Sequence, residues 1–190
     1  MTEQQPYEVV RTTPDYELRR YPVHVVAETV VRDVSFEDAG SRAFRFLFGY
    51  IQGENTARQS IAMTAPVVQS TSSRMAMTAP VVQQQGEDGF VVAFVLPATL
   101  TEASAPVPNR PEVTLRTVPA RLVAALRFSG RWTQASWESH RAALVASVAA
   151  AGLTTLGEAR FARFDPPYTP WFLRHNEVLV DVAETPDRAG

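Results

Sequence analysis

The sequence contains no cysteine and no lysine among its 190 residues. Without cysteine, the chain has no disulfide bonds, no thiolate metal ligands and no cysteine nucleophile. All 18 basic residues are therefore arginine, whose planar and permanently charged side chain pairs well with carboxylates and phosphates. The net charge of −2 does not indicate a nucleic acid or an anionic membrane as a partner. No apolar run approaches the length of a membrane span, so membrane insertion is not expected.

The motifs of the common enzyme classes are missing as well. The sequence has no G-x-S-x-G elbow, no H-E-x-x-H, no glycine-rich phosphate loop and no metal-ligand spacing. The acidic residues are scattered and suggest no acid–base pair, so a binding protein is favoured over an enzyme. The opening segment MTEQQPYEVV lacks the basic and apolar regions of a secretory signal, and a cytoplasmic protein is expected.

Clear periodicity begins near the start of the chain. Residues 21–31, YPVHVVAETVV, alternate between a mostly apolar face and a polar face, which predicts a strand with His24 on its solvated side. Residues 35–53 then place apolar side chains at helical spacing, and Ser35 with Asp38 resembles a capping box. A strand followed by a helix is therefore predicted here.

The same order of elements returns in the second half of the chain. The segment LRTVPARLVA at 115–124 aligns with LRRYPVHVVA at 18–27, and a second helix is predicted over 133–152. Strand-like segments follow each helix, at 60–69 and at 157–165. Each half is therefore predicted as β-β-α-β-β, and the two halves as a weak internal duplication.

The predicted fold class is α+β, with the two antiparallel halves joined into a curved, barrel-like sheet and both helices packed outside. FVVAFVLP at 90–97 is apolar on both faces, which predicts a central strand covered on both sides. The alternating segment 176–183 directs Val178, Val180 and Val182 inward. The expected parts of this single domain are a first half at about 7–97, a proline-rich connection at 101–112, a second half at about 113–183 and a frayed tail at 184–190.

An octapeptide, AMTAPVVQ, occurs twice, at 62–69 and at 76–83. One interpretation is a hairpin of two similar strands, with each proline at a strand start, an edge or a bulge. The other is that the copies place Met63 and Met77 at equivalent positions along a pocket wall, where thioethers suit a flat hydrophobic ligand. The repeat alone does not decide between them.

The segment FDPPYTPWFLRHNEV at 164–178 is the densest candidate for a ligand site. Its prolines stiffen a loop that carries aromatic residues and ends in two cations, which is typical of a rim for a flat apolar ligand with carboxylates. The alternative is a loop that simply covers the core. On the first helix, further side chains lie on faces that can meet such a ligand, although the phenylalanines also suit a core. The candidates are Arg42, Phe44, Arg45, Phe48, Tyr168, Trp171, Arg174 and His175.

Several of these segments together resemble the SOUL haem-binding protein family. They are YELRRYP near the start, MTAPV after the first helix, RFSGRW before the second helix, and the closing DPP…P…RHNEV. The resemblance extends over about residues 7–183. It implies a distorted β-barrel of two pseudo-symmetric halves, and haem or another tetrapyrrole in a hydrophobic groove near the first helix and the DPP loop.

The resemblance also implies how the iron and the propionates are held. Some members ligate iron through a histidine at the position of Arg20, and others use basic residues at positions that correspond to uncharged ones here: Ser41, Gly49 and Thr169. Arg42 or Arg45 would then pair with propionates, since a guanidinium holds a carboxylate with two hydrogen bonds. The candidate iron ligands are His175, His24 and Met77, with weak or absent coordination as the alternative.

The predicted function is a tetrapyrrole-binding protein that stores, buffers or carries haem. A second hypothesis is a module for another hydrophobic small molecule, similar to the effector-binding domains of bacterial regulators. An enzyme that processes a tetrapyrrole is the third. The physiological ligand, protein partners and oligomeric state stay open at this point.

Overall fold

The computed structural model describes residues 3–71, 89–166 and 168–183, which contain two helices and a single sheet. The α+β class predicted from the sequence is confirmed. No helix in these ranges is long and apolar enough to cross a membrane. The elements are β1 (Glu3–Gln4), β2 (Glu8–Thr12), β3 (Glu17–Tyr21), β4 (His24–Arg32), α1 (Phe36–Ile51), β5 (Thr64–Thr71), β6 (Gly89–Val95), β7 (Thr114–Val118), β8 (Arg121–Phe128), α2 (Gln134–Ala150), β9 (Thr155–Arg163), a 3₁₀ helix (Trp171–Leu173) and β10 (Asn176–Val182).

The strand order of the sheet has an internal symmetry. The order is β2-β3-β8-β10-β9-β5-β6-β4-β7, with antiparallel neighbours throughout, and β1 pairs with β5 in parallel. Without β1 and β2, each strand of the first half has a counterpart in the second: β3 corresponds to β7, β4 to β8, β5 to β9 and β6 to β10. Exchanging these counterparts and reading the order backwards gives the same order again. Each half therefore contributes the same set of strands around its helix, and the two halves meet where β5 pairs with β9.

The prediction of a barrel is wrong, because the sheet has two edges. Among the described residues, no pairing joins β2 at one end to β7 at the other. β3 pairs with β8, and β4 pairs with β7, in one common register, but the chain breaks this ladder between them. Pro22 and Pro119 lie in the two linking segments, and a proline cannot donate to a ladder. The same break divides the single strand predicted over 21–31 after Tyr21.

Both helices pack on one face of the sheet, which we call the helix face; the other is the open face. Along β4, Val25 and Ala27 pack against α1, whereas Val26 and Glu28 point to the open face. The alternation follows from the two-residue period of a strand. The inward direction predicted for the three valines of β10 is confirmed, because Val178, Val180 and Val182 join the core cluster under α2.

The ends of the helices follow local sequence signals. Ser35 caps α1, its Oγ accepting a hydrogen bond from the Asp38 backbone N–H at 3.1 Å, as predicted. Thr133 caps α2 in the same way. Pro66, in the first copy of the octapeptide, lies where the register of β5 against β6 shifts, so its lack of a donor is accommodated at an irregularity. The second copy, including Met77, lies outside the described residues.

Candidate functional site

Two phenylalanines of α1 form a stacked pair on the helix surface. Phe44 and Phe48 are one turn apart, with ring centroids 5.0 Å apart and planes inclined by 17°. They are 38% and 41% exposed, so both rings present apolar surface to solvent. Phe44 also rests against the buried Phe94 of β6, at 5.6 Å between centroids. The pair is thus anchored to the core while one side of it stays uncovered.

Within the described residues, neither of the arginines predicted near this pair lies over its rings. Arg42 is two residues from Phe44, which places it about 200° away around the helix. Arg45 is exposed, and its guanidinium carbon lies 5.7 Å from the centroid of Phe46. Met63, just before β5, is half-buried and packs against the core cluster that includes α1. The structure therefore gathers Phe44, Phe48 and Met63 around α1 but does not bring Arg42 or Arg45 onto the stacked pair.

A buried arginine of β9 provides a cation close to α1, where Arg42 and Arg45 were expected to provide one. Arg163 is 7% exposed, and its Nη2 donates to Gln69 Oε1 at 2.7 Å. Within the described residues no carboxylate forms an ion pair with it, and its Nε has no acceptor. Burial, and then the nearby charge of Arg174, lower the pKa of Arg163 to about 10, with Glu37 acting in the opposite direction. A buried cation without a paired anion is costly and suits an anionic ligand.

Glycine at position 40 lets α1 approach this guanidinium. A methyl group added at Gly40 would lie 2.4 Å from Nη1 of Arg163, closer than nonbonded atoms come. Gly40, Phe44 and Phe48 are spaced four residues apart, so they form one stripe along the helix. Arg163 therefore lies at one end of the stripe whose other end is the exposed aromatic pair.

On its other side, Arg163 contacts the segment before α2. Its guanidinium carbon lies 4.8 Å from the ring centroid of Trp132, and that of Arg174 lies 4.1 Å from the same ring. The indole Nε1 of Trp132 donates to Asn176 Oδ1 at 2.7 Å, which fixes the ring. We call the strip formed by Phe48, Phe44, Gly40, Arg163, Trp132 and Arg174 the helix-face surface.

The loop that holds Arg174 is exposed and aromatic, as the sequence predicted. Tyr168, Trp171 and Phe172 are 87%, 49% and 58% exposed. The backbone of the loop is held at two points: the Gly130 N–H donates to the Trp171 carbonyl at 3.1 Å, and Arg174 Nε donates to the Thr169 carbonyl at 2.8 Å. The aromatic side chains thus project from an anchored loop rather than covering the core.

His175 lies on the opposite face of the sheet from Arg163. Its ring stacks on Phe164 with 4.0 Å between centroids, and its Nε2 lies 2.8 Å from Glu177 Oε1. Glu177 is 1% exposed and also accepts two hydrogen bonds from Arg19, at 2.7 and 3.0 Å. Burial raises the pKa of Glu177, but the hydrogen bonds from His175 and Arg19 outweigh it, and the pKa is lowered overall. The ring of His175 is thus occupied in a buried polar network.

His24 is buried, which corrects the prediction of a solvated histidine. It is 8% exposed and lies at the break between β3 and β4, with Nδ1 2.9 Å from the Pro22 carbonyl oxygen. This geometry identifies Nδ1 as the protonated nitrogen of the neutral ring. Burial lowers the pKa of His24, and the charges of Arg121 and Arg160 lower it further. The alternation predicted the correct face of the strand, but at His24 that face lines a cavity instead of facing solvent.

The cavity beside His24 was not predicted. It has a volume of about 550 Å³ and lies on the open face. Asp181 of β10 accepts hydrogen bonds from Arg121 at 3.1 Å and from Arg160 at 2.8 and 2.5 Å. The alignment of His24 with Arg121 in the two halves was the one sequence signal for this cluster. The described residues contain no group of three or more acidic or histidine side chains that could hold a metal ion.

Comparisons with known proteins agree with the segments that carried the resemblance. The family model described as "SOUL heme-binding protein" matches residues 2–181. The chain belongs to the SOUL haem-binding protein family. A comparison with curated protein sequences finds no match.

Solved structures with a similar fold come from proteins of several kinds. The C-terminal domain of EcmrR is 12% identical, with 94% of this chain and 99% of that chain covered and a TM-score of 0.63. A hydrolase encoded by lin2189 from Listeria innocua is 9% identical over 92% and 94% of the two chains, with a TM-score of 0.63. SAV2435 bound to tetraphenylphosphonium is 9% identical over 89% and 94%, with a TM-score of 0.51. At these identities the likeness concerns the fold alone.

Proposed function

We propose that the protein binds haem or a related tetrapyrrole on the helix-face surface and thereby buffers or carries it in the bacterial cytoplasm. The observation that carries this proposal is Arg163, a buried cation without a carboxylate partner among the described residues, at the end of an exposed aromatic stripe. Family membership supports the ligand class. Arg163 and the stripe together match a flat apolar molecule that carries carboxylates.

The apolar part of the ligand would pack against aromatic side chains that are partly exposed to solvent in the structure. Phe44 and Phe48 already expose stacked rings on α1, and Trp171 is 49% exposed on the loop that carries Arg174. Burying a fully exposed phenylalanine contributes roughly 1.5–3 kcal/mol. Phe44 and Phe48 are 38% and 41% exposed, so covering the rest of both rings contributes somewhat less than this amount in total. Apolar burial would therefore supply most of the binding free energy.

The carboxylates would be held by Arg163 and Arg174. Both guanidinium groups lie over the ring of Trp132, at 4.8 and 4.1 Å from its centroid, so their positive charges are close together. A carboxylate near this pair would offset the charge of Arg174 that lowers the pKa of Arg163. Guanidinium groups bind carboxylates with paired hydrogen bonds, which would also orient the macrocycle.

Iron ligation by a histidine is not part of this proposal. His175 and His24 are on the open face, where one binds Glu177 and the other lies near the Pro22 carbonyl. Met63 is the described thioether nearest to α1, and it is half-buried. Haem, when bound, supplies an iron centre, but the side chains of this surface fit the macrocycle and its propionates rather than the metal. Binding should therefore extend to metal-free porphyrins.

The experiment is an absorbance titration of the chain with haemin and, separately, with protoporphyrin IX. The double substitution Phe44→Ala/Phe48→Ala should weaken binding of both ligands at least tenfold, roughly the effect of losing one buried ring. Val30→Ala is the matched control, because Val30 is 41% exposed but lies on the open face. Saturation near one porphyrin per chain supports the proposal, and an unchanged affinity in the double variant would refute it.

A second candidate, a binding module for another small molecule, is favoured by the open-face cavity. A protein of similar fold has been solved with tetraphenylphosphonium bound, which shows an apolar ion held on this architecture. The charges in the present cavity indicate a ligand of the opposite sign.

A further inference from the structure

The open-face cavity has the dimensions and the walls of a small-molecule site. Its volume of about 550 Å³ falls within the roughly 300–1,000 Å³ of ligand pockets. One wall is a continuous apolar patch from the adjacent strands β4, β6 and β7: Val26, Ala93, Val95 and Val118. Val123 and Leu179 extend the apolar lining on the strands of the second half. An aliphatic body therefore has surface to cover inside the cavity.

One carboxylate serves two guanidinium groups at the second-half side of the cavity. Asp181 pairs with both Arg121 and Arg160, which leaves an excess of one positive charge in this cluster. The side chains are 27% and 14% exposed, so each arginine is largely removed from bulk water. Burial, followed by the charge of Arg160, lowers the pKa of Arg121 to about 10, and Asp181 only partly offsets this.

The remaining charged residues of the lining do not cancel this excess. Arg116 and Glu28 neutralise one another through hydrogen bonds of 2.8 to 3.0 Å. Glu158 is exposed, so its charge is screened by solvent. His24 favours its neutral form because of burial and the neighbouring arginines. The uncompensated charge inside the cavity is therefore positive, and it lies between β8 and β9.

Hydrogen-bond donors without acceptors in the cavity also favour an anionic ligand. Gln5 lines the cavity, is 8% exposed, and its Nε2 has no acceptor among the described residues. The Nε atoms of Arg121 and Arg160 lack acceptors as well. Three buried donors without an acceptor among the described residues are unusual in a folded protein, where nearly all such groups are satisfied. An incoming acceptor, and in particular an anion, would complete the arrangement.

We propose that the open-face cavity is a second binding site, for a small amphipathic carboxylate such as a medium-chain fatty acid, held by Arg121 and Arg160. The apolar walls would cover the alkyl chain, and the carboxylate would share the two guanidinium groups with Asp181. The site is separate from the helix-face surface, because the sheet lies between them. Its occupancy does not depend on tetrapyrrole binding.

Calorimetric titration with decanoate tests this site, with decan-1-ol and decylamine as ligands of matched chain length. Decanoate should bind near one per chain, and the alcohol and the amine at least tenfold more weakly. Arg121→Gln and Arg160→Gln should each weaken decanoate binding about tenfold, the effect of losing a charged hydrogen bond. Asp181→Asn should strengthen it, because the native carboxylate competes for the same guanidinium groups. Arg141→Gln on the exposed side of α2 is the matched control and should change nothing.

Thermal melts show whether each variant is folded, and the opposite signs expected for Arg121→Gln and Asp181→Asn separate the proposal from a general loss of stability. Arg121→Gln should keep its affinity for protoporphyrin IX, and Phe44→Ala/Phe48→Ala should keep its affinity for decanoate. Absence of saturable decanoate binding would overturn the proposal. The proposal would also be overturned if decylamine bound as tightly as decanoate, or if neither arginine substitution changed the affinity for decanoate. Failure of porphyrin binding alone would leave this site intact and refute only the proposed function.

Discussion

Arg163 lies directly against Gly40, with its Nη1 where a methyl group on the helix would come within 2.4 Å. This contact joins β9 to the aromatic stripe of α1 and brings a buried cation to the edge of an exposed apolar surface. It depends on a residue without a side chain on one partner and a long, charged side chain on the other. The position of the cation on the helix-face surface depends on this pair.

Gly40→Ala should therefore fail to stabilise the protein. In a helix interior, glycine to alanine normally contributes up to about 1 kcal/mol of stability. At position 40 the new Cβ would push Arg163 away from Gln69, so we expect an unchanged or lower melting temperature and weaker porphyrin binding. Gly49→Ala on the same helix meets the exposed carboxylate of Glu54, which can move aside, and should raise the melting temperature. Equal stabilisation by both substitutions would contradict the contact.

The charge of Arg163 should be detectable as a preference for carboxylates. Wild type should bind protoporphyrin IX about tenfold more tightly than its dimethyl ester, which lacks the two carboxylates. Arg163→Met should reduce this ratio to near one, because it removes the cation and keeps an apolar side chain of similar length. Arg141→Met serves as the control on exposed α2. A preference that survives Arg163→Met would assign the carboxylates to another group.

The buried network on the open face should be important for stability. Glu177→Gln leaves Arg19, 4% exposed, facing a neutral amide, and breaking a buried ion pair costs about 3–5 kcal/mol. Chemical denaturation should show a loss of about this size. Glu54→Gln, which breaks the exposed pair with Arg110, should leave unfolding unchanged. A loss no larger in Glu177→Gln than in Glu54→Gln would show that the network does not stabilise the fold.

His24 should make the protein less stable at mildly acidic pH. Burial lowers its pKa in the folded chain below the ordinary 6.5, so the unfolded chain binds the proton more readily. The free energy of unfolding should then fall as the pH decreases below about 6.5, and less so in His24→Gln. Denaturation at pH 7.5 and 5.5 measures the difference between the two chains. NMR titration of the imidazole proton gives the pKa directly, and a value above 6.5 would contradict the burial.

Much of the fold could be predicted from local patterns. Both helices lie close to their predicted ranges, because apolar spacing and the caps at Ser35 and Thr133 act within a few residues. The faces of β4 and β10 follow from alternation in the same way. Local patterns could not predict that the sheet stays open, since this depends on which distant strands pair and on which strands remain at the edges.

The candidate site was predictable only in part, for the same reason. Phe44, Phe48 and the 168–175 loop were identified from the residue pattern and the family resemblance. The structure shows both phenylalanines and the aromatic side chains of the loop exposed, whereas His175 lies in a buried polar network. Arg163 was missed, although alternation places it on the apolar face of Phe161, where an arginine is a signal in itself. Arg121 and Asp181 come together through the register of β8 against β10, two segments distant in the chain, which no local pattern encodes.

The central claim is that a tetrapyrrole occupies the helix face. We would test it first by NMR, following the backbone amide shifts of the labelled chain during titration with protoporphyrin IX. The account predicts saturating shifts at residues 40–48, around Trp132 and Arg163, and over 171–174, with little change around the open-face cavity. Shifts that centre on His24, Arg121 and Asp181, or no saturating shifts at all, would contradict it.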